Sequence, residues 1–82
     1  MKMEVEIMAF GIARDIFGAS TIRLSTTENT TVGQLLEQLK NDYPALEELR
    51  SVAIAVNAEY ATMEQVVKPG DEVVIIPPVA GG

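Results

Sequence analysis

The side chains that usually carry nucleophilic or metal chemistry are scarce in this sequence. Its 82 residues include no cysteine and no histidine. Thiolate nucleophiles, disulfides and Fe–S clusters are therefore excluded, and so are the commonest zinc ligand and the commonest general base. Twelve Asp and Glu residues are present, but they form neither a calcium loop nor a spaced catalytic pair, and there is no glycine-rich phosphate loop. We expect a protein body without a catalytic centre or a metal site.

The C-terminal segment, residues 77–82, is the exception. It reads Pro-Pro-Val-Ala-Gly-Gly, and its two prolines hold the chain extended and offer no amide hydrogens to a sheet. Gly81 and Gly82 lack a β-carbon, so they can pass through a slot that would exclude other residues. Six extended residues reach about 20 Å, which is enough to enter the active site of another protein. The functional group at the tip is the α-carboxylate of Gly82.

A carboxylate reacts at neutral pH only after activation, most simply as an acyl-adenylate that another protein makes with ATP. The activated group can then be exchanged for a thiocarboxylate, a good nucleophile as thiolates are, or joined to an amine. Two terminal glycines occur by chance about once in 200 chains, so by themselves they favour an unstructured tail without a function. The two preceding prolines hold the chain extended, and they favour a tail whose terminal carboxylate reacts.

Hydrophobic periodicity predicts the strands that position this tail. Residues 1–9 have apolar side chains at the odd positions, which predicts a strand with one polar face at its start, and Met8 and Phe10 make its far end apolar on both faces. Residues 21–25 alternate again. The glycine-bounded stretch 11–18 between them is expected to be a loop or a single helical turn. Residues 51–56 predict a strand whose small side chains could accept a helix, followed by a turn at 57–59 and a short edge strand. After a type II turn at Pro69-Gly70, residues 72–76 are apolar on both faces, as in a central strand.

One helix is clear from the pattern. Its apolar stripe is Val32, Leu35, Leu36, Leu39 and Tyr43. Thr31 and Gln34 have the capping-box spacing, and Pro44 ends the helix. Residues 45–50 could form one further helical turn.

These elements predict an α+β roll in which a mixed sheet of four or five strands grips one main helix. Because the helical crossover lies between the first and last strands, those two strands should pair in parallel at the centre of the sheet. A ferredoxin-like arrangement is the alternative, but it would need a second full helix.

The net charge of −6 argues against nucleic-acid binding and favours a protein partner with a basic surface. No apolar stretch approaches the roughly 20 residues of a membrane helix, and the start has no secretory signal. We expect a cytoplasmic protein that does not bind a membrane.

The ending Pro-Gly-Asp-Glu-Val-Val-Ile-Ile-Pro-Pro-Val-Ala-Gly-Gly, residues 69–82, resembles the small subunit of molybdopterin synthase, the MoaD family. Phe10 at the end of the first strand, Arg14-Asp15 and the helix opening at Thr31-Val32 agree with it. The chain departs mildly from the family in having Phe10-Gly11 instead of Phe-Ala, Arg-Asp instead of Arg-Glu, and Ile75-Ile76 where some members have aromatic residues.

The resemblance implies a ubiquitin-like β-grasp domain over residues 1–76 and an extended reactive tail over residues 77–82. It implies that an E1-like enzyme (MoeB in bacteria) adenylates Gly82 with ATP, and that a sulfur donor protein then supplies the sulfur of a thiocarboxylate. The carrier itself would bind no cofactor. The tail would enter a large subunit (MoaE), in a heterotetramer with two copies of each subunit. There it would give sulfur to cyclic pyranopterin monophosphate for the molybdopterin dithiolene.

The resemblance also implies site residues. Gly82 would carry the sulfur, with Gly81 as its slim neighbour, and the inserted tail would be Pro77, Pro78, Val79 and Ala80. Phe10, Arg14 and Ile76 would face the partner. Each of these three residues also has a purely structural explanation. Phe10 and Ile76 could pack in the core or on a face of the sheet, and Arg14 could be a solvated charge in a loop.

Three other functions stay open. The chain could carry sulfur for another pathway, such as the thiazole of thiamin, although those carriers tend to lack the Pro-Pro pair. It could be a ubiquitin-like modifier that is joined to lysines. It could also be a β-grasp binding module with an inert tail.

Overall fold

The computed structural model describes residues 2–49 and 51–78. Along these ranges the elements are β1 (Lys2–Ala9), α1 (Gly11–Phe17), β2 (Thr21–Thr27), α2 (Val32–Asp42), a 3₁₀ helix (Pro44–Glu48), β3 (Ala53–Val56), β4 (Glu59–Tyr60) and β5 (Val73–Ile76). Within the described ranges, no helix has the length and apolar character needed to cross a membrane.

The five strands form one mixed sheet in the order β2-β1-β5-β3-β4. β1 and β5 pair in parallel at the centre, with Ile7 beside Val73 and Ala9 beside Ile75. The other pairs are antiparallel, including the hairpin of β1 and β2. The predicted α+β class, the central parallel pair and the ubiquitin-like β-grasp architecture are confirmed.

The core lies between the sheet and α2 and is almost entirely aliphatic. Its fully buried large side chains are Ile7, Val32, Leu35, Leu39, Leu46, Ile54, Val67, Val73 and Ile75. Burying one such side chain contributes roughly 1.5–3 kcal/mol before chain entropy is subtracted. The apolar stripe predicted for the main helix is therefore the surface that holds α2 against the sheet.

The start of α2 follows the predicted capping box. The Gln34 amide donates to Thr31 Oγ1 (3.2 Å), and the Thr31 amide donates to Gln34 Oε1 (2.9 Å). The next two amides of the helix are also used, since Val32 donates to the Gln65 carbonyl (2.8 Å) and Gly33 donates to the Met63 carbonyl (2.9 Å). The donors that a helix leaves free at its start thus tie the segment before β5 to α2.

The segment expected to be a loop or a single turn is a seven-residue helix, α1. Ala13 and Phe17, four residues apart, both face the core, and the Phe17 ring lies 4.7 Å from the Tyr43 ring. Gly18 ends the helix in the left-handed conformation, with its amide donating to the Arg14 carbonyl at 2.9 Å. Packing of two side chains at helical spacing stabilises a helix that is too short to form alone.

The prediction that the small face of β3 accepts the helix is wrong. Ile54 and Val56 belong to the core, whereas Ala53 and Ala55 lie on the other face, beside Ile76 and Val74 of β5. The physical reason is area: the larger aliphatic side chains remove more apolar surface from water, so they take the helix side.

The turns at the start of β5 are linked by side chains. The Asn57 amide group donates to Asp71 Oδ1 (3.0 Å), and the Glu72 backbone amide donates to Asn57 Oδ1 (3.0 Å). The backbone amide of Lys68 donates to the same Asp71 carboxylate (2.8 Å). The predicted turn at 68–71 is present, with its Asp71-to-Lys68 backbone bond at 3.1 Å.

The β3–β4 hairpin contains a strained alanine. Asn57 and Ala58 have φ angles of 52° and 70°, as a two-residue type I′ turn requires, and Ala is unfavourable there because its β-carbon crowds the backbone. We therefore expect Ala58→Gly to raise the free energy of unfolding by about 0.5–1 kcal/mol, measured by urea denaturation. Ala45→Gly in the 3₁₀ helix is the control and should lower stability. A stability loss at both positions would contradict the strain at Ala58.

Candidate functional site

The tail begins at the end of the sheet where the C-terminal ends of β1 and β5 lie side by side. Because these strands run in parallel with Ala9 beside Ile75, the chain leaves both of them at the same edge. Pro77 and Pro78 follow β5 outside any helix or strand and are half-buried. The remaining predicted tail residues, Val79, Ala80, Gly81 and Gly82, lie outside the described residues.

Phe10 lies at this edge and is exposed. Its backbone is extended (φ −128°, ψ 160°), so its side chain continues the alternation of β1 on the same face as Met8. Its exposed fraction of 56% rules out the alternative of core packing.

Ile76 lies on the outer face of the sheet, away from α2. The buried residues of β5 are Val73 and Ile75, and strand alternation places Ile76 opposite to them. It is half-buried beside Ala53 of β3, which fits sheet-face packing and leaves part of its surface free for a partner. Arg14 is exposed on α1, one turn after Gly11.

Tyr60 and Ile12 are among the exposed apolar side chains that the sequence analysis did not single out. Tyr60 is 76% exposed, and the register that places it beside Ala55, itself beside Val74, puts it on the outer face. Ile12, on the first turn of α1, is 49% exposed. The position of Tyr60 could have been predicted from the sequence. A two-residue turn at Asn57-Ala58 fixes which residues face each other across the hairpin, and it places Tyr60 beside Ala55.

Apolar side chains cover the outer face of four neighbouring strands. We call this surface the outer apolar face, and it consists of Met8, Phe10, Ala53, Ala55, Tyr60, Val74 and Ile76. Phe10 and Tyr60 are exposed, Ala55 is buried, and the other four are half-buried. Neighbouring strands are about 4.8 Å apart, so the side chains of adjacent strands are in reach of one another. An apolar surface that presents exposed side chains such as Phe10 and Tyr60 is typical of a protein-binding site.

The charged residues lie toward the other end of the sheet. A cleft of about 290 Å³ there is lined by Glu4, Glu6, Lys68, Asp71 and Glu72, with Val5, Met8 and Gly70. Its carboxylates outnumber its single ammonium group, so it repels polyanions such as ATP and attracts a basic protein surface. The nearby Glu6–Arg23 ion pair (3.8 Å) is exposed and contributes little to stability.

The described part of the chain has no group of three or more Asp and Glu side chains that could hold a metal ion. Within the described residues, Pro77 and Pro78 follow β5 beside the outer apolar face, and the acidic cleft adjoins that face at Met8.

A family model described as the ThiS family matches residues 7–82. The curated molybdopterin synthase sulfur carrier subunit of Arabidopsis thaliana is 37% identical over 82 residues, which cover 99% of this chain and 85% of the relative. The subunit of the same name from Mycobacterium tuberculosis is also 37% identical, over 98% of this chain and 99% of the relative. Small archaeal modifier protein 1 of Haloferax volcanii is 31% identical, over 95% and 100%.

Solved structures share the fold. A putative molybdopterin converting factor subunit 1 from Pyrococcus furiosus superposes with a TM-score of 0.85 at 27% identity, covering 94% of this chain and 99% of that one. A chain from the complex of subunits 1 and 2 of the Helicobacter pylori molybdopterin-converting factor superposes with a TM-score of 0.64 at 28% identity, covering 98% and 100%.

The two phenylalanines provide a test of the site geometry. Phe17 is 9% exposed in the core, whereas Phe10 is 56% exposed beside the tail. We expect Phe17→Ala to cost about 3–5 kcal/mol of unfolding free energy and Phe10→Ala to change it by less than about 0.5 kcal/mol, as measured by urea denaturation. Similar losses for both variants would place Phe10 in the core.

Proposed function

The chain belongs to the ThiS family, and we propose that it is the sulfur carrier subunit of a molybdopterin synthase, acting through its C-terminal Gly82. The resemblance to the MoaD family is confirmed by curated molybdopterin synthase sulfur carrier subunits that are 30–37% identical over nearly the whole chain. This full-length similarity is the observation that carries the proposal. The position of the tail root beside an exposed apolar face supports it.

The proposed chemistry begins with the carboxylate of Gly82. One of its oxygens attacks the α-phosphorus of ATP in the active site of an E1-like enzyme, and pyrophosphate leaves. A sulfur nucleophile at the oxidation level of sulfide, supplied by a sulfur donor protein, then attacks the carbonyl carbon and expels AMP. The product is a thiocarboxylate, in which the reactive group is carried on a protein arm.

The thiocarboxylate then gives its sulfur to cyclic pyranopterin monophosphate in the large subunit. An oxygen atom from water replaces the sulfur and regenerates the carboxylate of Gly82. A dithiolene contains two sulfur atoms, so each molybdopterin needs two loaded carrier chains, which agrees with two copies of each subunit in a heterotetramer.

ATP binding belongs to the partner in this proposal. The described residues contain no glycine-rich phosphate loop, and half of the residues lining the cleft at the start of β5 are Glu or Asp. A triphosphate in that cleft would face four carboxylates and only the one ammonium group of Lys68. The carrier therefore contributes the substrate carboxylate, and the E1-like enzyme contributes the nucleotide site.

The outer apolar face is the proposed docking surface for the large subunit and for the E1-like enzyme. It adjoins Pro77, so a partner that covers Phe10 and Ile76 receives the tail in a defined position. Aromatic and aliphatic anchors of this kind contribute most of the binding energy in protein interfaces. The acidic region then selects partners with a basic rim.

A second function is favoured by one comparison. The 31% identity to a small archaeal modifier protein supports attachment of Gly82 to lysines of target proteins, because an acyl-adenylate also reacts with amines. That reading predicts isopeptide-linked species of higher mass. A thiamin-pathway carrier remains the alternative within the family, and the Pro77-Pro78 pair favours the molybdopterin assignment over it.

Removing Gly82 tests the proposed chemistry. Without it the carboxylate falls one residue short of the partner's reactive centre, so we expect cofactor synthesis to be abolished and the free energy of unfolding to stay unchanged. Intact mass after incubation with the E1-like enzyme, ATP and a sulfur donor should show the wild-type chain heavier by the difference between sulfur and oxygen.

The matched control adds one glycine at the amino terminus, which should leave loading intact, whereas one glycine added after Gly82 should abolish it. A truncated chain that still complements a strain lacking molybdenum cofactor would refute the proposal.

Phe10 and Met63 test the docking surface. Both are exposed, but Met63 lies beside the first turn of α2, where its carbonyl accepts the Gly33 amide. We expect Phe10→Ala to weaken binding to the large subunit by about 2 kcal/mol, roughly 30-fold, and Met63→Ala to have little effect, as measured by isothermal titration calorimetry. Equal effects of the two substitutions would remove Phe10 from the interface.

A further inference from the structure

β2 forms a lateral edge of the sheet. In the order β2-β1-β5-β3-β4, β1 covers one side of β2, and within residues 2–49 and 51–78 no strand covers its other side. β2 pairs with β1 without a bulge along all seven of its residues, and it contains no proline. The opposite lateral edge, β4, has two residues. β2 is therefore the edge that is long and regular enough to pair with another strand.

The register shows which backbone groups of β2 face outward. The Ala9 amide donates to the Ser20 carbonyl (2.9 Å), and hydrogen-bonded pairs alternate with non-hydrogen-bonded pairs along an antiparallel ladder. The N–H and C=O groups of the even-numbered residues therefore face β1, whereas those of the odd-numbered residues in Thr21–Thr27 point away from it. Gln38 of α2 uses one of these outward groups, since its Nε2 donates to the Ser25 carbonyl (2.9 Å).

A polar cleft of about 370 Å³ lies beside this edge, between β2 and α2. We call it the β2–α2 cleft, and its lining includes Lys2, Ser25, Thr26, Thr30, Gln34 and Gln38. Thr26 and Thr30 are the two buried polar residues in the described part of the chain, so hydroxyl groups stand here where the rest of the core is aliphatic. A strand added to β2 would point every second side chain toward the helix side, over this cleft.

The charged residues of this site are basic, although the net charge of the chain is −6. Arg23 is the one charged residue of β2, and Lys2 is the one charged residue among the described residues that line the cleft. Arg23 and Glu6 form a long, exposed ion pair (3.8 Å), which is weak and easily exchanged. A strand beside β2 would have Arg23 as a direct cross-strand neighbour, with Glu6 one strand further away.

We propose that the outward edge of β2 and the β2–α2 cleft bind an extended acidic segment of a partner protein, which adds to the sheet as a further strand. Backbone hydrogen bonds to β2 give the affinity, and the polar cleft with Lys2 and Arg23 selects the side chains. A second copy of this chain fits less well. Pairing β2 with itself would bring two Arg23 side chains together, and each copy carries a net charge of −6.

This site is separate from the outer apolar face, which extends over β1, β5, β3 and β4. The cleft adjoins the paired residues Lys2 and Thr27, at the opposite end of β1 from Ala9. A carrier docked through Phe10 and Ile76 therefore keeps the cleft open to a second protein. Binding at β2 makes no use of Gly82, so it goes beyond the proposed function and does not depend on it.

The probe is the synthetic peptide acetyl-Thr-Glu-Val-Thr-Glu-Val-Thr-Thr-amide, titrated into the full chain and followed by NMR. Its two glutamates lie on opposite faces of a strand, so one can reach Lys2 and the other Arg23. We expect the amide shifts of Thr21–Thr27 to move and those of β4 to stay unchanged. The same peptide with lysines in place of both glutamates should bind about 5-fold more weakly or worse.

N-methylated forms of the peptide test backbone pairing without changing the protein. A peptide strand turns alternate amides toward its neighbour. Methylation of one alternate set of amides should therefore abolish binding, while methylation of the other set should leave the Kd little changed. Equal effects of the two sets would overturn the proposal.

Ser25→Pro and Ser25→Ala form a matched pair on the protein side. The Ser25 amide points outward, so proline removes a donor to the peptide and none from the β1 ladder, whereas alanine keeps that donor. We expect the proline variant to bind the peptide about 10-fold more weakly and the alanine variant to bind like the wild type. Equal Kd values for the two variants would contradict pairing at this edge.

A second matched pair tests the charge selection. Lys2→Glu should weaken binding of the glutamate peptide about 5-fold. Lys40→Glu makes the same change of net charge two residues from Gln38, on the opposite side of α2, and should have little effect. Peptide-induced shifts confined to the outer apolar face, or equal affinities for the glutamate and lysine peptides, would overturn the proposal. A dimer in sedimentation that Ser25→Pro dissociates would assign the edge to a second copy and overturn the acidic segment as its occupant.

Discussion

The parallel pairing of β1 with β5 is the constraint on which the rest of the structure depends. Two parallel neighbours at the ends of a chain need a long crossover, so β2, both helices, β3 and β4 must all be accommodated between them in sequence. The pair buries Ile7, Val73 and Ile75 against α2. It also brings the end of β1 and the start of the tail to one edge, which makes Phe10, Gly11 and Pro77 neighbours.

The surface is divided in a way that suits a carrier. Apolar side chains collect on the outer face near the tail root, and carboxylates collect around the start of β5, where Asn57 and Asp71 join two turns. Under the proposed function, a partner would be selected by charge and held by apolar contact, while the proposed chemistry would take place at Gly82. In this proposal the folded domain supplies a stable scaffold and a binding surface, and neither task requires cysteine or histidine, which the sequence lacks.

Local patterns predicted the elements well wherever one rule dominated. Thr31, Gln34 and Pro44 bounded α2 because capping and proline geometry act within a few residues. The same patterns failed for α1, whose seven residues form a helix because Ala13 and Phe17 find the core. They also failed for β3, where the larger face took the helix. In both cases the outcome depended on partners that are distant in sequence.

The sequence by itself determined the class of fold, the main helix and the central position of the last strand, and it predicted a reactive tail over residues 77–82, because periodicity, capping and proline stiffness are local properties. The tertiary structure decided which residues surround the root of that tail. Phe10, Ile76 and Tyr60 share one face through the register of four strands, and Gly11 meets Pro77 through the pairing of strands more than 60 residues apart. Neighbours of this kind are set by long-range packing, since no local rule specifies which side chains a strand will meet across a sheet.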